Sequence, residues 1–281
     1  MQPKRVLCLN PFGFHSMHYT EWGDRTADRT AICVHGLTRN ARDFDPLAAA
    51  LSPKFRVACP DIAGRGQSDW LPVASAYSYS QYCADMTVLV GRLETDSVDW
   101  VGTSMGGLIG MMMAAHPNAP IRRLVLNDVG PFIAKPALQR IATYVGQRPR
   151  FASLQALETY LRQVYAPFGK LTDEDWRAIA EHSQRALPDG EIVLHHDPKI
   201  AENAQAGASQ DVDLWSIWDK IACAVLLIRG AQSDLLSKET AEEMTRRGPG
   251  ARLVEIEGAG HAPALRSAGE IALIREFLEA K

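Results

Sequence analysis

The stretch VDWVGTSMGG at residues 98–107 decides the fold of this 281-residue chain. It consists of a short apolar strand, the pattern Gly-x-Ser-x-Gly centred on Ser104, and the start of a helix that Pro117 ends. Glycines two residues before and after the serine leave room for a sharp strand-to-helix turn, which lifts the hydroxyl above the edge of a sheet. The pattern therefore predicts a nucleophilic Ser104.

Strands and helices alternate on both sides of this turn. Short apolar runs predict strands at 5–9, 17–22, 30–36, 55–61, 97–102, 121–129, 222–230 and 251–258. Between and after them, predicted helices cover 44–51, 79–93, 105–116, 238–247 and 268–280. Because parallel strands need crossover connections, this alternation predicts an α/β fold, with a parallel sheet covered by helices on both faces.

The alternation stops after Gly130 and resumes at about residue 222. The intervening chain is expected to be all-helical, with helices near 136–146, 154–165 and 173–186. We therefore predict a core of residues 1–133 and 217–281, with a helical cap inserted at 134–216.

A serine nucleophile needs a base, and the base needs an acid to orient it. His261, in EGAGHAP, follows the last predicted strand and is the expected base. Two aspartates also follow strands: Asp234, in LLIRGAQSD, and Asp128, in LVLNDVG. Asp234 is the expected acid because its loop directly follows the penultimate strand, and Asp128 is the alternative.

The oxyanion of an acyl-transfer reaction needs backbone N–H donors. We expect one from Met105, at the start of the helix after Ser104, and one from Leu37, in the loop of VHGLT. His35 in the same motif is expected to brace that loop. Arg39 could bind a substrate carboxylate, although a surface or capping role is favoured.

Composition excludes several other classes of protein. The 30 Lys and Arg against 33 Asp and Glu argue against nucleic-acid binding. Five separated cysteines without a C-x-x-C pair argue against a disulfide framework, and the run His195-His196-Asp197 is not expected to bind a metal because adjacent side chains point apart. No secretory signal or membrane span is evident, so we expect a cytoplasmic protein, a monomer or homodimer, without membrane association.

The chain resembles the α/β-hydrolase family with a helical cap. The motifs that carry the resemblance are VHGLTRN (34–40), PDIAGRGQSD (60–69), VGTSMGG (101–107), LNDVGP (126–131), RGAQSDLL (229–236) and EGAGHAP (257–263). The resemblance implies a mostly parallel eight-stranded sheet, with the roles already given to Ser104, Asp234, His261, Leu37 and Met105, and no cofactor. It also implies a structural turn at Asp61, Gly64 and Gly66.

The expected activity is hydrolysis of small carboxylic esters, including lactones or polyester oligomers, through an acyl-enzyme. Serine at position 104 argues against epoxide opening and halide displacement, since relatives with those activities carry aspartate there. A C–C bond hydrolase of vinylogous diketones using the same triad is the alternative. A non-catalytic binding protein that retains the fold is the alternative from another class.

Overall fold

An eight-stranded sheet lies at the centre of the computed structural model, which describes residues 1–280. The strands of the chain are β1 Gln2–Asn10, β2 Gly13–Trp22, β3 Thr30–Val34, β4 Arg56–Pro60, β5 Val98–Thr103, β6 Ile121–Asn127, β7 Phe132–Ile133, β8 Gln184–Ala186, β9 Ile192–Leu194, β10 Val212–Asp213, β11 Ala224–Gly230 and β12 Arg252–Ile256. The sheet order is β1-β2-β4-β3-β5-β6-β11-β12, and only the β1–β2 and β2–β4 pairs are antiparallel. The predicted mostly parallel eight-stranded sheet is confirmed.

Helices cover both faces of this sheet. They are α1 Asp45–Leu51, α2 Tyr79–Arg92, α3 Met105–Ala114, α4 Lys135–Val145, α5 Leu154–Val164, α6 Asp173–Ser183, α7 Ile200–Gly207, α8 Trp215–Trp218, α9 Lys238–Arg246 and α10 Ala268–Glu279. Strand β3 is buried throughout, and its alternate side chains enter two different apolar clusters. Ile32 and Val34 pack in the cluster that includes α2 and α3 side chains, whereas Ala31 and Cys33 pack in the cluster with α1 and α10. This alternation explains why the strand is apolar from Ala31 to Val34.

The chain between β6 and β11 differs from the all-helical segment that we expected. It contains helices α4 to α8, but β7 also pairs with β10, and β8 pairs with β9. Strands of two or three residues are too short to show an alternating apolar pattern, which explains why they were not predicted. Part of the segment has its own small apolar cluster, built around Leu157, Leu161 and Trp176. The division into core and cap stays a prediction.

The longest helix, α2, has 14 residues. Within residues 1–280, no helix combines the length and the apolar character needed to cross a membrane.

Candidate active site

Ser104 occupies a strained turn between β5 and α3. Its φ of +51° and ψ of −113° lie in a region that residues with a side chain rarely adopt. A Cβ on Gly102 would lie 2.3 Å from the carbonyl oxygen of Gly106, and one on Gly106 would lie 2.1 Å from that of Val34. The backbone thus approaches itself so closely that only glycine fits on either side of the serine, as the sequence pattern predicted.

His261 lies beside Ser104, in the loop that follows β12. Its Nε2 is 2.9 Å from Ser104 Oγ, and its side chain is nearly buried. Two backbone bonds hold this loop in place: the N–H of Gly260 donates to the carbonyl of Pro167, and that of Ala264 to the carbonyl of Phe168. The predicted pairing of this histidine with Ser104 is therefore present as a direct contact.

The acidic partner of His261 is Asp128. His261 Nδ1 lies 2.7 Å from Asp128 Oδ2, so a proton on Nδ1 is donated to the carboxylate and Nε2 is left to accept from Ser104. The preference for Asp234 over Asp128 as the group that contacts this histidine was wrong. The alternative aspartate makes the contact.

Hydrogen bonds between neighbouring strand ends explain this correction. Asp128 directly follows β6, and β11 is the neighbour of β6 on the side toward β12, the strand that leads to His261. The Asp128 carboxylate is fully buried and also accepts hydrogen bonds from the Gly230 N–H at 2.8 Å and the Ser233 hydroxyl at 2.6 Å. These donors compensate a carboxylate that would otherwise be costly to bury.

Asp234 is turned away from the histidine by the loop that follows β11. The backbone N–H groups of Leu235 and Leu236 both donate to Ser233 Oγ, which holds Ser233 inward against Asp128. The next side chain, Asp234, points outward, is 52% exposed, and accepts a 2.8 Å hydrogen bond from Arg140 Nη2 of helix α4. One loop thus directs the two adjacent side chains in opposite directions.

Sequence reasoning missed two supporting residues. Ser233 was not singled out, although it precedes the favoured Asp234 in the same motif. Asn127 donates to Thr103 Oγ1 at 3.0 Å and to the carbonyl of Pro263 at 2.8 Å, so it ties the β5 end to the histidine loop. Asn127 could have been noticed in the sequence, because it and Asp128 are two adjacent polar residues directly after the apolar run 124–126.

Leu37 and Met105 line the same cavity as Ser104 and His261. Met105 is the first residue of α3, so its N–H has no partner within the helix and lies at the positive end of the helix dipole. The loop carrying Leu37 is fixed by Arg65, whose Nε donates to the Leu37 carbonyl at 2.8 Å. The role of both N–H groups as the oxyanion hole stays a prediction.

His35 stabilises the loop that carries Leu37 through two hydrogen bonds of its ring. Its Nδ1 donates to the carbonyl of Gly36 at 2.7 Å, while its Nε2 accepts from the N–H of Ile62 at 3.0 Å. This pattern requires a neutral ring, and complete burial lowers the pKa of His35 from 6.5 to about 4. Burial also lowers the pKa of His196 to about 4.

These buried histidines predict acid sensitivity of the fold. Below pH 6.5 the unfolded chain takes up a proton at position 35, whereas the folded chain does so only near pH 4. The free energy of unfolding should therefore fall as the pH drops from 6.5 to 4, by on the order of 3 kcal/mol for His35 alone. Urea titrations at pH 7.5, 5.5 and 4.0 measure this loss.

In His35→Gln the loss between pH 7.5 and 4.0 should shrink by that amount, because glutamine does not titrate. The exposed His116, changed to glutamine, is the matched control and should keep the wild-type pH dependence. A His35→Gln profile parallel to that of the wild type would contradict the prediction.

A cavity of about 430 Å³ opens above Ser104. Its wall is mostly apolar, and side chains from the chain between β6 and β11 supply much of it: Ile133, Leu138, Ile141, Tyr144, Val164, Tyr165, Phe168, Ile200, Val212 and Leu214. Tyr165 and Phe168 stack with ring centroids 4.7 Å apart, and the Tyr165 hydroxyl lies 3.0 Å from Thr38 Oγ1. The volume lies within the roughly 300–1,000 Å³ that is common for small-molecule sites.

The remaining motifs support the walls of this cavity. His195 and His196 are buried, and His195 Nε2 lies 3.0 Å from Asn40 Nδ2. Asp197 accepts a hydrogen bond from the Tyr77 hydroxyl at 2.6 Å. Residues 195–197 thus connect the chain between β6 and β11 to the parts of the chain that carry Asn40 and Tyr77. Asp61 accepts from the backbone N–H of Ala41 at 2.8 Å, in agreement with a structural role.

Comparison with known proteins identifies relatives of this chain in sequence and in fold. The Alpha/beta hydrolase family matches residues 31–272. A 3-hydroxybutyrate-oligomer hydrolase of Cupriavidus necator is 45% identical over 280 residues, covering 97% of this chain and 96% of the relative. The structure is similar to that of a putative hydrolase from Rickettsia typhi, with a TM-score of 0.94, 34% identity and full coverage of both chains.

An alpha/beta hydrolase from Novosphingobium aromaticivorans superposes with a TM-score of 0.87 and 35% identity, covering 99% of this chain and 98% of that one. The predicted fold is confirmed, and the predicted ester hydrolase agrees with the activity named for the Cupriavidus relative. The chain belongs to the alpha/beta hydrolase family.

Proposed function

We propose that this protein hydrolyses the ester bonds of short 3-hydroxybutyrate oligomers through an acyl-enzyme on Ser104. The observation that carries the proposal is the continuous chain of contacts from Ser104 Oγ through His261 to Asp128, at the base of an apolar cavity. The Cupriavidus relative, with 45% identity over nearly the whole chain, supports the choice of substrate.

In the proposed mechanism, His261 Nε2 takes the proton of Ser104 as Oγ attacks the ester carbonyl carbon. The C–O bond then breaks, and the protonated histidine returns its proton to the departing alkoxide, which leaves as an alcohol. Water, deprotonated by the same nitrogen, then attacks the acyl carbon. The bond from this carbon to Ser104 Oγ breaks, Oγ takes the proton back from His261 Nε2, and the acid is released. Asp128 keeps the second ring proton on Nδ1 and stabilises the imidazolium that forms in each half of the cycle.

The negative oxygen of each tetrahedral intermediate is held by the N–H groups of Leu37 and Met105 in this proposal. A preorganised donor of this kind contributes about 3–4 kcal/mol to the stabilisation of the transition state. Because the nucleophile, base and donors all belong to the chain, the steps require only the ester and water. A cofactor has no part in them.

Residues 134–216 act as a cap over this site in the proposal. Contacts of Tyr165 with Thr38, and of Pro167 and Phe168 with the histidine loop, join the segment directly to the site. Its apolar side chains suit the methyl and methylene groups of a hydroxybutyrate chain. A cytoplasmic location and a monomeric or homodimeric state stay predictions.

The direct test is incubation of the purified protein with linear 3-hydroxybutyrate dimer and trimer. We expect release of monomer by chromatography, and a transient acyl adduct on the peptide containing Ser104 by mass spectrometry. Hydrolysis of p-nitrophenyl acetate without any attack on the oligomers would contradict the proposed substrate. Faster hydrolysis of a vinylogous diketone than of any ester would instead favour C–C bond cleavage.

A further inference from the structure

Two arginines supply the positive charge of the cavity. Among residues 1–280, the lining includes Arg39 and Arg140 but neither an aspartate nor a glutamate. An anionic group that enters the cavity therefore meets cations without a lining carboxylate to repel it. Which of the two arginines can receive an anion depends on how far each is already paired.

Each of the three guanidinium nitrogens of Arg39 already donates a hydrogen bond within the protein. Arg39 is buried, its Nε donates to Asp43 at 2.8 Å, its Nη2 donates to the same carboxylate at 2.5 Å, and its Nη1 donates to Ser183 at 2.8 Å. Its guanidinium also stacks over the ring of Tyr165, with its central carbon 4.9 Å from the centroid. Arg39 is a fixed part of the wall.

Arg140 differs in both exposure and pairing. Its side chain is 41% exposed, and within residues 1–280 its one ionic partner is Asp234, which is 52% exposed. The two belong to different parts of the chain, α4 and the loop after β11. Half-exposed ion pairs of this kind contribute little to stability, so one carboxylate can replace another on the arginine at low cost.

We propose that Arg140 is the binding site for the terminal carboxylate of the substrate, which takes the place of Asp234 on its guanidinium. The inference rests on the proposed function, because every ester bond of a linear hydroxyacid oligomer has the free carboxylate on its alcohol side. The guanidinium offers two parallel N–H donors that match a carboxylate. Asp234 pairs with this guanidinium until the substrate arrives, and Nη2 donates to its carboxylate.

The exchange assigns a direction to the bound chain. The acyl part is transferred to Ser104 as its C–O bond to the alcohol part breaks, and the alcohol takes the proton from His261. The departing hydroxyacid keeps its carboxylate on Arg140 until it dissociates, and Asp234 then pairs with the arginine again. The enzyme should therefore prefer oligomers with a free acid end over neutral ones of the same length.

The test compares 3-hydroxybutyrate dimer as the free acid with the same dimer carrying a terminal primary amide. The wild type should have a higher kcat/KM for the acid, and this preference should shrink as ionic strength increases. In Arg140→Gln, kcat/KM for the acid should fall about tenfold to a hundredfold, mostly through KM, while the value for the amide falls less than about threefold. Arg140→Lys should recover part of the loss, since it keeps the charge.

Arg148→Gln is the matched control, because Arg148 is exposed, lies just beyond α4 and does not line the cavity. It should behave as the wild type with both dimers. In Asp234→Asn the preference for the acid over the amide should increase, because the competing carboxylate is gone. Melting temperatures of all variants exclude a general loss of the folded state.

The outcomes separate the two proposals. If Arg140→Gln lowers kcat/KM equally for the acid and the amide dimer, or does not lower it for the acid, the role of Arg140 is overturned. The proposed hydrolysis of oligomers would remain intact. Failure of the wild type to cleave either dimer, with p-nitrophenyl acetate still hydrolysed, would overturn the oligomer substrate and the Arg140 proposal with it.

Discussion

Replacing Asp128 with asparagine is expected to lower kcat for ester hydrolysis about 10³- to 10⁴-fold with little change in fold. The Gly230 N–H donates to Asp128 Oδ1, so the carbonyl oxygen of an asparagine should turn toward it. The amide NH₂ then faces His261 Nδ1 and donates to it, which moves the ring proton to Nε2. A protonated Nε2 cannot accept the proton of Ser104.

Asp234→Asn should cost far less, below about tenfold in kcat on p-nitrophenyl acetate, because this side chain lies outside the His261 contact. Asp219→Asn is the matched control: its carboxylate pairs with Arg247 at the surface, away from the cavity, and its kcat should equal that of the wild type. Steady-state kinetics at pH 7.5, with melting temperatures for each variant, make the comparison. A larger loss in Asp234→Asn than in Asp128→Asn would return the acid to the position that we first expected.

Ser104→Ala should lower kcat about 10⁶-fold and leave the fold unchanged. Alanine keeps the Cβ of the residue and removes only Oγ, so the backbone turn between Gly102 and Gly106 has the same space as before. Without Oγ there is no acyl-enzyme, and the residual rate comes from the oxyanion donors and substrate binding alone. Stopped assays over hours with p-nitrophenyl acetate measure a loss of this size.

A fluorophosphonate probe gives a second readout that does not depend on turnover. It should label the wild type on the peptide containing Ser104 and leave Ser104→Ala unlabelled. Ser97→Ala, at the exposed position just before β5, should be labelled and active as the wild type is. Labelling of another serine together with retained activity in Ser104→Ala would place the nucleophile elsewhere.

Local sequence patterns were sufficient to predict Ser104, His261 and most elements of the sheet-based part of this protein. The Gly-x-Ser-x-Gly turn predicted Ser104 because the glycines that the turn requires are close to the serine in the sequence. His261 was predicted because its glycine-rich loop follows the last predicted strand. Apolar spacing predicted most strands and helices of the sheet, because burial on two faces leaves a continuous apolar run in each parallel strand. These features depend on neighbours within a few residues.

The choice between two aspartates depended on the tertiary structure. Asp128 and Asp234 both follow strands and both satisfy the chain order, so no local pattern separates them. Hydrogen bonds from Gly230 and Ser233 hold the Asp128 carboxylate where it contacts His261. The turn around Ser233 directs Asp234 outward to Arg140. Both facts arise from contacts between residues far apart in the chain. For that physical reason the sequence alone predicted Ser104 and His261, whereas only the folded structure decided that Asp128, and not Asp234, contacts the histidine.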